Sequence, residues 1–553
     1  MQTQPRTKQA LYLVVVLAMA LCVPWLGRPF HTRGEPREAL VAQAMLTTGN
    51  WISPPAYDGA VPSKPPFSHW LIALVSLPGG EVTELTSRLP SALAFVVFTA
   101  AFFLFVAKRI GVQAALGASL ILLSSSEWFR GASTCRVDTI LACSMAGALL
   151  SLYGWWEKGF RGIPYIAGVL LVCSALTKGP VGIVLPLGIF SFFVWSQRDF
   201  KIGAIPSIAS RTLMLCVFAT FVVSIWYVLG YIERGDEFLD KIRYENFERF
   251  TSTMQDEPHK HGVAYLVGML AIGLLPWTIL LVIAGIQAVI HRSNFKGHSV
   301  GAWWRGLPDI LKFSVIAAGS IILFFCVPSS KRSVYLLPAY PFLAILVESC
   351  LRSKLERVHR MLSLVCVCVA VLAIVISGLA LLISSFPFHS VWSSWLASFG
   401  SVPSMTMLAV SAVLIISVPR GELRQTLNIP MQALGVAVIG AVFVVSLCVY
   451  DAVAQRLSVK TWLSSTEFLA AVKPDQRDQL YSYGSEAYAA SFYLNKPFFG
   501  ATSSLDAGAA IFVEQRKVED LKKFLTSPIR EIARYSNGLE KTSRDLVVVQ
   551  VEK

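Results

Sequence analysis

Charge is what this sequence has little of. Asp, Glu, Lys and Arg make up 15% of its 553 residues, against 54% hydrophobic, whereas a soluble domain carries about a quarter charged residues. A soluble globular enzyme is thereby excluded, and a multispanning membrane protein is expected. The chain has no Walker A loop, dinucleotide fingerprint or nucleic-acid module, so its net charge of +14 belongs to membrane loops and does not argue for nucleic acid. No cysteine follows Tyr450, so no disulfide braces that part of the chain. The ten cysteines lie almost entirely in apolar runs, at spacings unlike a zinc site, and read as small core residues.

What is present is apolar length. Crossing about 30 Å of hydrocarbon takes about 20 apolar residues. Thirteen spans are read near 10–27, 88–107, 111–125, 137–155, 163–177, 179–196, 211–231, 263–290, 309–328, 333–350, 361–385, 403–418 and 429–450. The first reads as an anchor rather than a cleavable signal, because no small-residue cleavage site follows it. Basic residues concentrate in alternate loops: Arg6 and Lys8, KRIG at 108, EKGFRG at 157, QRDFK at 197, HRSNFKGH at 291, LRSKLERVHR at 351 and PRGELRQ at 419. The loop at 386–402 carries no Lys or Arg. Since cytoplasmic loops hold the basic excess, the N-terminus is expected in the cytoplasm and the C-terminus in the periplasm of a Gram-negative cell.

The expected outer side still holds Arg28, Arg33, Arg37, Lys64, Arg88, Arg130, Arg136, Lys178, Lys331 and Arg332. A charge at membrane depth is costly unless it meets an opposite charge or an aqueous cavity. Lys178, in TKGPVG, sits between two apolar runs with almost no loop to solvate it, and SSKRSVY repeats the situation at 329–335. Such cations serve head-group contacts or internal ion pairs; converging, they also suit the phosphate of a lipid carrier. Carboxylates on the same side are Glu35, Glu38, Asp138 and the acids of 232–262. Pro36 suits a first helical position, and Leu40, Val41, Ala44 and Met45 form an apolar stripe, so a short interfacial helix is expected. Glu35 at its start, beside Arg37, reads either as a capping acid or as an ionised general base.

The stretches GEPREALVAQAMLTTGNW, PSKPPFSHWL, RLPSALA, CRVDTILA, LTKGPVGIVLP, ENFERF, LLPW and SKRSVYLLPAYPFLAIL, in that order between residues 28 and 350, resemble the bacterial 4-amino-4-deoxy-L-arabinose lipid A transferases and the protein mannosyltransferase-like enzymes of the GT-C superfamily. The resemblance implies an α-helical polytopic membrane protein of the GT-C fold. Its transmembrane domain would span 1–450, with outer loops 28–87 and 232–262. It also implies a glycosyltransferase that moves a monosaccharide, with inversion, from a polyprenyl (undecaprenyl) phosphate donor to lipid A or another envelope acceptor at the periplasmic face of the inner membrane. Residues 65–78 are accordingly assigned to a juxtamembrane helix rather than a span.

Site residues transfer unevenly. Where the family shows Asp-Glu-x-Arg this chain has Gly34, Glu35, Pro36 and Arg37, and where it shows Glu-Lys-Pro-Pro this chain has Ser63, Lys64, Pro65 and Pro66. Glu35 is expected to replace the missing acid as base, with Glu38 as the competing carboxylate and Asp138 in support. Arg37, Lys64, Arg136, Lys178, Lys331, Arg332 and Tyr335 are expected to line the donor's phosphate and prenyl groove. His259 and His261 form a His-x-His pair of the kind that holds a divalent ion, but Ser63 removes a carboxylate such a site would use. In the 232–262 loop Phe238, Leu239, Ile242, Phe247 and Phe250 are expected to dip into the interface as part of a lid. After Tyr450, GAAIFVE at 508, VEDLKKFL at 518 and DLVVVQV at 545 announce a small periplasmic α/β domain over 451–553. The competing readings are a lipid-linked sugar flippase or transporter, and a glycan ligase or polymerase using a diphosphate-linked donor. Charges gathered at one face, with no evident inverted repeat, favour transfer over transport.

Overall fold

The computed structural model describes residues 5–245 apart from 31, 33, 56–60, 62 and 63. It then describes 261–352 with gaps at 276, 279–280, 283–285, 287–303 and 329, and 458–552 with gaps at 473–479, 484–487, 495–498, 501–504 and 536–544. The spans expected at 361–385, 403–418 and 429–450 lie outside the described residues, as do the 386–402 loop, Arg33, Ser63, Phe247, Phe250 and His259.

Six described helices are long and apolar enough to cross a membrane. They include α1 (Pro5–Cys22), α4 (Glu84–Ile110), α7 (Val137–Glu157) and α10 (Ile205–Arg234), followed by Asp309–Cys326 and the 3-10 turn and helix over Ser333–Cys350. The chain is a multi-pass membrane protein. Between them lie the shorter α5 (Val112–Ser124), α6 (Ser126–Ala132), α8 (Tyr165–Lys178) and α9 (Val181–Ser196). Helix α7 is buried along almost its whole length, packed by α4, α8 and α9. Phe193 and Tyr153 meet Phe313 of the 309–326 helix at centroid distances of 4.9 Å, so aromatic packing ties these helices together near the last turns of α7 and α9.

The α8–α9 corner shows how sequence places one cation. Gly179 takes φ +86 and returns its N–H to Ala175 O at 2.7 Å, which ends α8 at Lys178. A Cβ on Gly182 would lie 2.5 Å from Ala175 N and from Ser174 C. Only glycine there lets α9 turn back against the α8 backbone, and the tight reversal leaves Lys178 on the rim of the bundle.

Two short helices cover that rim: α2 (Gly34–Thr48) and α3 (Phe67–Ser76). With ten residues, about 15 Å, α3 is too short to span, in agreement with its reading as a juxtamembrane helix. Helix α2 is rotated from the expected stripe: its buried positions include Glu35, Glu38, Ala39, Val41, Ala42 and Met45, while Leu40 and Ala44 are half-buried. The face turned inward carries the carboxylates. In α11 (Asp236–Arg243), Phe238 does not dip into the interface as expected. It is buried against Trp226 at 5.3 Å and over Gly230, where a Cβ would meet its ring at 2.4 Å.

The C-terminal part is a five-stranded sheet in the order β2-β1-β3-β5-β4. Its strands are β1 (Leu480–Tyr483), β2 (Phe499–Gly500), β3 (Ala510–Glu514), β4 (Ile529–Tyr535) and β5 (Leu546–Val551). The β1–β2 and β1–β3 pairs are parallel, and β5 runs antiparallel to β3 and β4. The strand and helix signals at 508, 518 and 545 fall on β3, on the helix Val518–Phe524 and on β5. The helix Tyr488–Leu494 packs on the α2 segment: Phe30 N–H donates to Tyr493 Oη at 2.6 Å, the Phe30 and Phe492 rings meet tilted at 4.8 Å, and Lys460 Nζ reaches Glu84 at 2.7 Å. The sheet domain therefore sits on the same face of the bundle as α2 and α3.

Candidate active site

Glu35 and Glu38 lie one helical turn apart on α2, and their surroundings separate their roles. Glu35 is fully buried. Its Oε1 accepts from Arg88 Nε at 2.7 Å and from Cys135 N–H at 3.1 Å, and its Oε2 accepts from the N–H and hydroxyl of Thr32. Arg88, equally buried, spends its remaining donors on the carbonyls of Trp25, Leu26, Arg28 and Pro29. This is a closed ion pair that pins the chain leaving α1 to the start of α4. The expected Arg37 partnership of Glu35 is not formed; Arg37 turns to Glu38.

Glu38 faces a different set. Its Oε1 receives Arg37 Nη2 at 2.6 Å and Lys64 Nζ at 3.0 Å, while its Oε2 meets His69 Nε2 at 2.8 Å. Burial pushes the Glu38 carboxyl up, but Lys64, Arg37 and His69 outweigh it and hold the group well below the usual carboxylate range. Lys64 is itself lowered by burial, with Glu38 opposing and Arg37 and Lys178 adding to the shift. Lys178 Nζ lies 2.6 Å from Asp138 Oδ1 and 4.2 Å over the Tyr335 ring. Asp138 and Lys178 both act electrostatically on Lys64, so the two ion pairs form one cluster. It is assembled from α2, the loop before α3, the N-terminus of α7, the C-terminus of α8 and the 333–339 turn.

Further cations surround it. Lys331 is buried, with the Pro328 carbonyl as its hydrogen-bond partner. Arg130, in α6, is bidentate to Glu127 and reaches Ser333 Oγ at 3.2 Å. Arg136 is half-buried and has no carboxylate in ion-pair contact among the described residues, and its Nε is buried without a hydrogen-bond acceptor. Burial, together with Arg130 and Arg332 nearby, pulls its guanidinium below the ordinary range. A Cβ at Gly34 would stand 3.9 Å from Arg136 Nη2, so the position where the family shows Asp faces this guanidinium.

His69 went unnoticed in the sequence. The signal was its place five residues after Lys64, in the first turn of a helix that Pro65 and Pro66 introduce. Of the His259–His261 pair only His261 lies among the described residues. His261 is exposed and stacks on Tyr265 at 4.0 Å, and no three His, Cys, Asp or Glu side chains converge among the described residues as a metal ion requires.

Residues 63–226 match the family described as dolichyl-phosphate-mannose-protein mannosyltransferase. An uncharacterised protein of Aquifex aeolicus is 26% identical over 361 residues, 64% of this chain and 66% of the relative. The undecaprenyl phosphate-alpha-4-amino-4-deoxy-L-arabinose arabinosyl transferase of Shewanella sediminis is 24% identical over 370 residues, 63% of this chain and 60% of that protein. The chain thus spans slightly less than two thirds of the length of these relatives. Among solved structures, ArnT of Cupriavidus metallidurans bound to undecaprenyl phosphate superposes with a TM-score of 0.70 at 18% identity, covering 97% of both chains, and its apo state gives 0.69. The chain therefore has the fold of the GT-C membrane glycosyltransferases and resembles the aminoarabinose transferases among them.

Proposed function

We propose that this protein is a glycosyltransferase that moves a monosaccharide from undecaprenyl phosphate to lipid A at the periplasmic face of the inner membrane. The observation that carries the reading is the paired cluster of Glu38 with Lys64, and Asp138 with Lys178, at one end of the bundle. Two ammonium groups are held ready there by carboxylates, where a donor phosphate can take them over. The leaving group is a lipid phosphate, whose developing charge Lys64 and Lys178 stabilise, with Arg37 assisting. Glu38 is the base and Asp138 holds Lys178 in place; Arg136, Lys331, Arg332 and Tyr335 line the surroundings. Glu35 is an anchor.

Donor binding and base strength are linked in this arrangement. While Lys64 sits on Glu38 the carboxylate is a weak base; once the donor phosphate draws Lys64 away, its proton affinity rises. The acceptor hydroxyl then attacks the anomeric carbon as its C–O bond to phosphate breaks, and its proton passes to Glu38. One displacement gives inversion. When the acceptor is a phosphate oxygen there is no proton to move, and the cations supply most of the acceleration.

The test is transfer by the purified protein in liposomes holding an undecaprenyl phosphate-linked sugar and lipid A, read by mass spectrometry. Glycosylated lipid A with stoichiometric undecaprenyl phosphate is expected. Sugar lipid crossing the bilayer without transfer would replace this reading by the flippase.

A further inference from the structure

A second cavity lies at the other end of the bundle. A groove of about 740 Å³ is lined by the last turns of α4 and α7, the 158–164 turn, the first turn of α8 and the start of the 309–326 helix. Arg88, Asp138 and Lys178 mark the opposite ends of α4, α7 and α8, so the groove and the candidate active site belong to different faces. On the orientation proposed above, the groove opens at the cytoplasmic leaflet.

Its charges are unevenly matched. Lys108, Arg109, Lys158 and Arg161 line it against Glu157 and Asp309. Both acids are engaged: Glu157 binds the Arg109 guanidinium through both oxygens, and Asp309 takes Lys312 at 3.2 Å. Arg109 is further fixed 3.5 Å over the Phe105 ring. Lys108, Lys158 and Arg161 are exposed and have no ion-pair partner among the described residues. Two helix N-termini also open here, at Tyr165 and Asp309, each preceded by a proline that offers no side-chain cap. Tyr165 N–H is taken by Ile163 O and Leu311 N–H by Pro308 O, but the dipoles of the two helices still favour an anion here.

The wall of the groove is apolar where it meets the bundle surface. Ile163, Tyr165 and Ile166 are 79%, 71% and 53% exposed, a surface suited to acyl chains and glycerol rather than water. We propose that this groove binds an anionic phospholipid, with its phosphodiester among Lys108, Lys158 and Arg161 and its chains along the Ile163–Ile166 edge. The inference does not depend on the transferase reading.

Native mass spectrometry of the full-length protein in detergent, titrated with phosphatidylglycerol or with phosphatidylcholine of the same chains, tests it. The anionic lipid should bind more tightly. Replacing Lys108, Lys158 and Arg161 together by alanine should weaken it by roughly tenfold or more, since each basic residue near an anionic surface contributes about a factor of five. Binding of the zwitterionic lipid should be unchanged, and Arg161→Glu alone should weaken the anionic lipid in the same direction. Equal binding of the two lipids, or an unchanged triple variant, overturns the proposal. So does displacement of phosphatidylglycerol by millimolar inorganic phosphate, which would make this a site for a soluble phosphate.

Discussion

Replacing each α2 carboxylate by its amide should give two opposite phenotypes. In Glu35→Gln the Arg88 guanidinium, 1% exposed beside a fully buried Glu35, keeps its hydrogen-bond acceptors but loses its counter-charge. Breaking one side of a buried pair costs about 3–5 kcal/mol, and the loss should appear as a lower unfolding temperature in detergent, followed by tryptophan fluorescence. Turnover per folded molecule should stay within a few fold. Glu38→Gln leaves Arg37 at 36% and Lys64 at 17% exposure in reach of water, with only His69, at 2%, sealed from it, so its stability loss should be clearly smaller than that of Glu35→Gln. Its turnover with saturating donor should fall by roughly 10² or more if the acceptor is a hydroxyl. A Glu35 variant with wild-type stability and a hundredfold slower turnover would refute this division, and full activity in Glu38→Gln would remove the base from α2 altogether.

Lys64→Ala and Lys178→Ala should each abolish transfer while expression in the membrane persists; full turnover in both, measured with an identified donor, would end the phosphate-site reading. Gly34→Asp should pair with Arg136, whose guanidinium stands 3.9 Å from the new Cβ. A double-mutant cycle with Arg136→Ala on unfolding free energy should then show coupling of about 0.5 kcal/mol or more, and zero coupling would mean that the side chain points elsewhere. Because Glu38 titrates well below its ordinary value, its contribution to stability is fully present above the unfolded-state pKa of about 4.3 and is lost as pH falls through the depressed folded value. The stability difference between wild type and Glu38→Gln should therefore be flat from about pH 6 to 8 and shrink below about pH 4; a difference that grows on acidification would reverse the sign of the argument.

Apolar length and turn chemistry were enough to read the six long apolar helices, the shortness of α3 and the strands at 510–514 and 546–551, because these depend on neighbours in the chain. The division of labour between Glu35 and Glu38 depends on residues far away. Arg88 is 53 positions from Glu35 and His69 is 31 positions from Glu38. Near a helix start either carboxylate fits a base, and only the approach of α4 and α3 tells them apart. The α2 stripe was misjudged for the same reason. Apolar periodicity marks Leu40 and Ala44, but two ion pairs decide which side faces inward. Phe238 was placed at the lipid interface because its helix is amphipathic, while Gly230 on α10 had already left a seat for its ring.

The hydrogen bond from Phe30 to Tyr493 joins residues 463 positions apart, and that distance is also a delay. At 5–20 residues per second, synthesis takes roughly 20–90 s to travel from one to the other. During this interval the segment that carries Glu35 and Glu38 has already been made, while the helix that will rest on it has not. A chain halted anywhere before residue 493 lacks that support, however well its membrane helices are inserted. The helix at 488–494 thus completes the seating of a loop made several hundred residues before it.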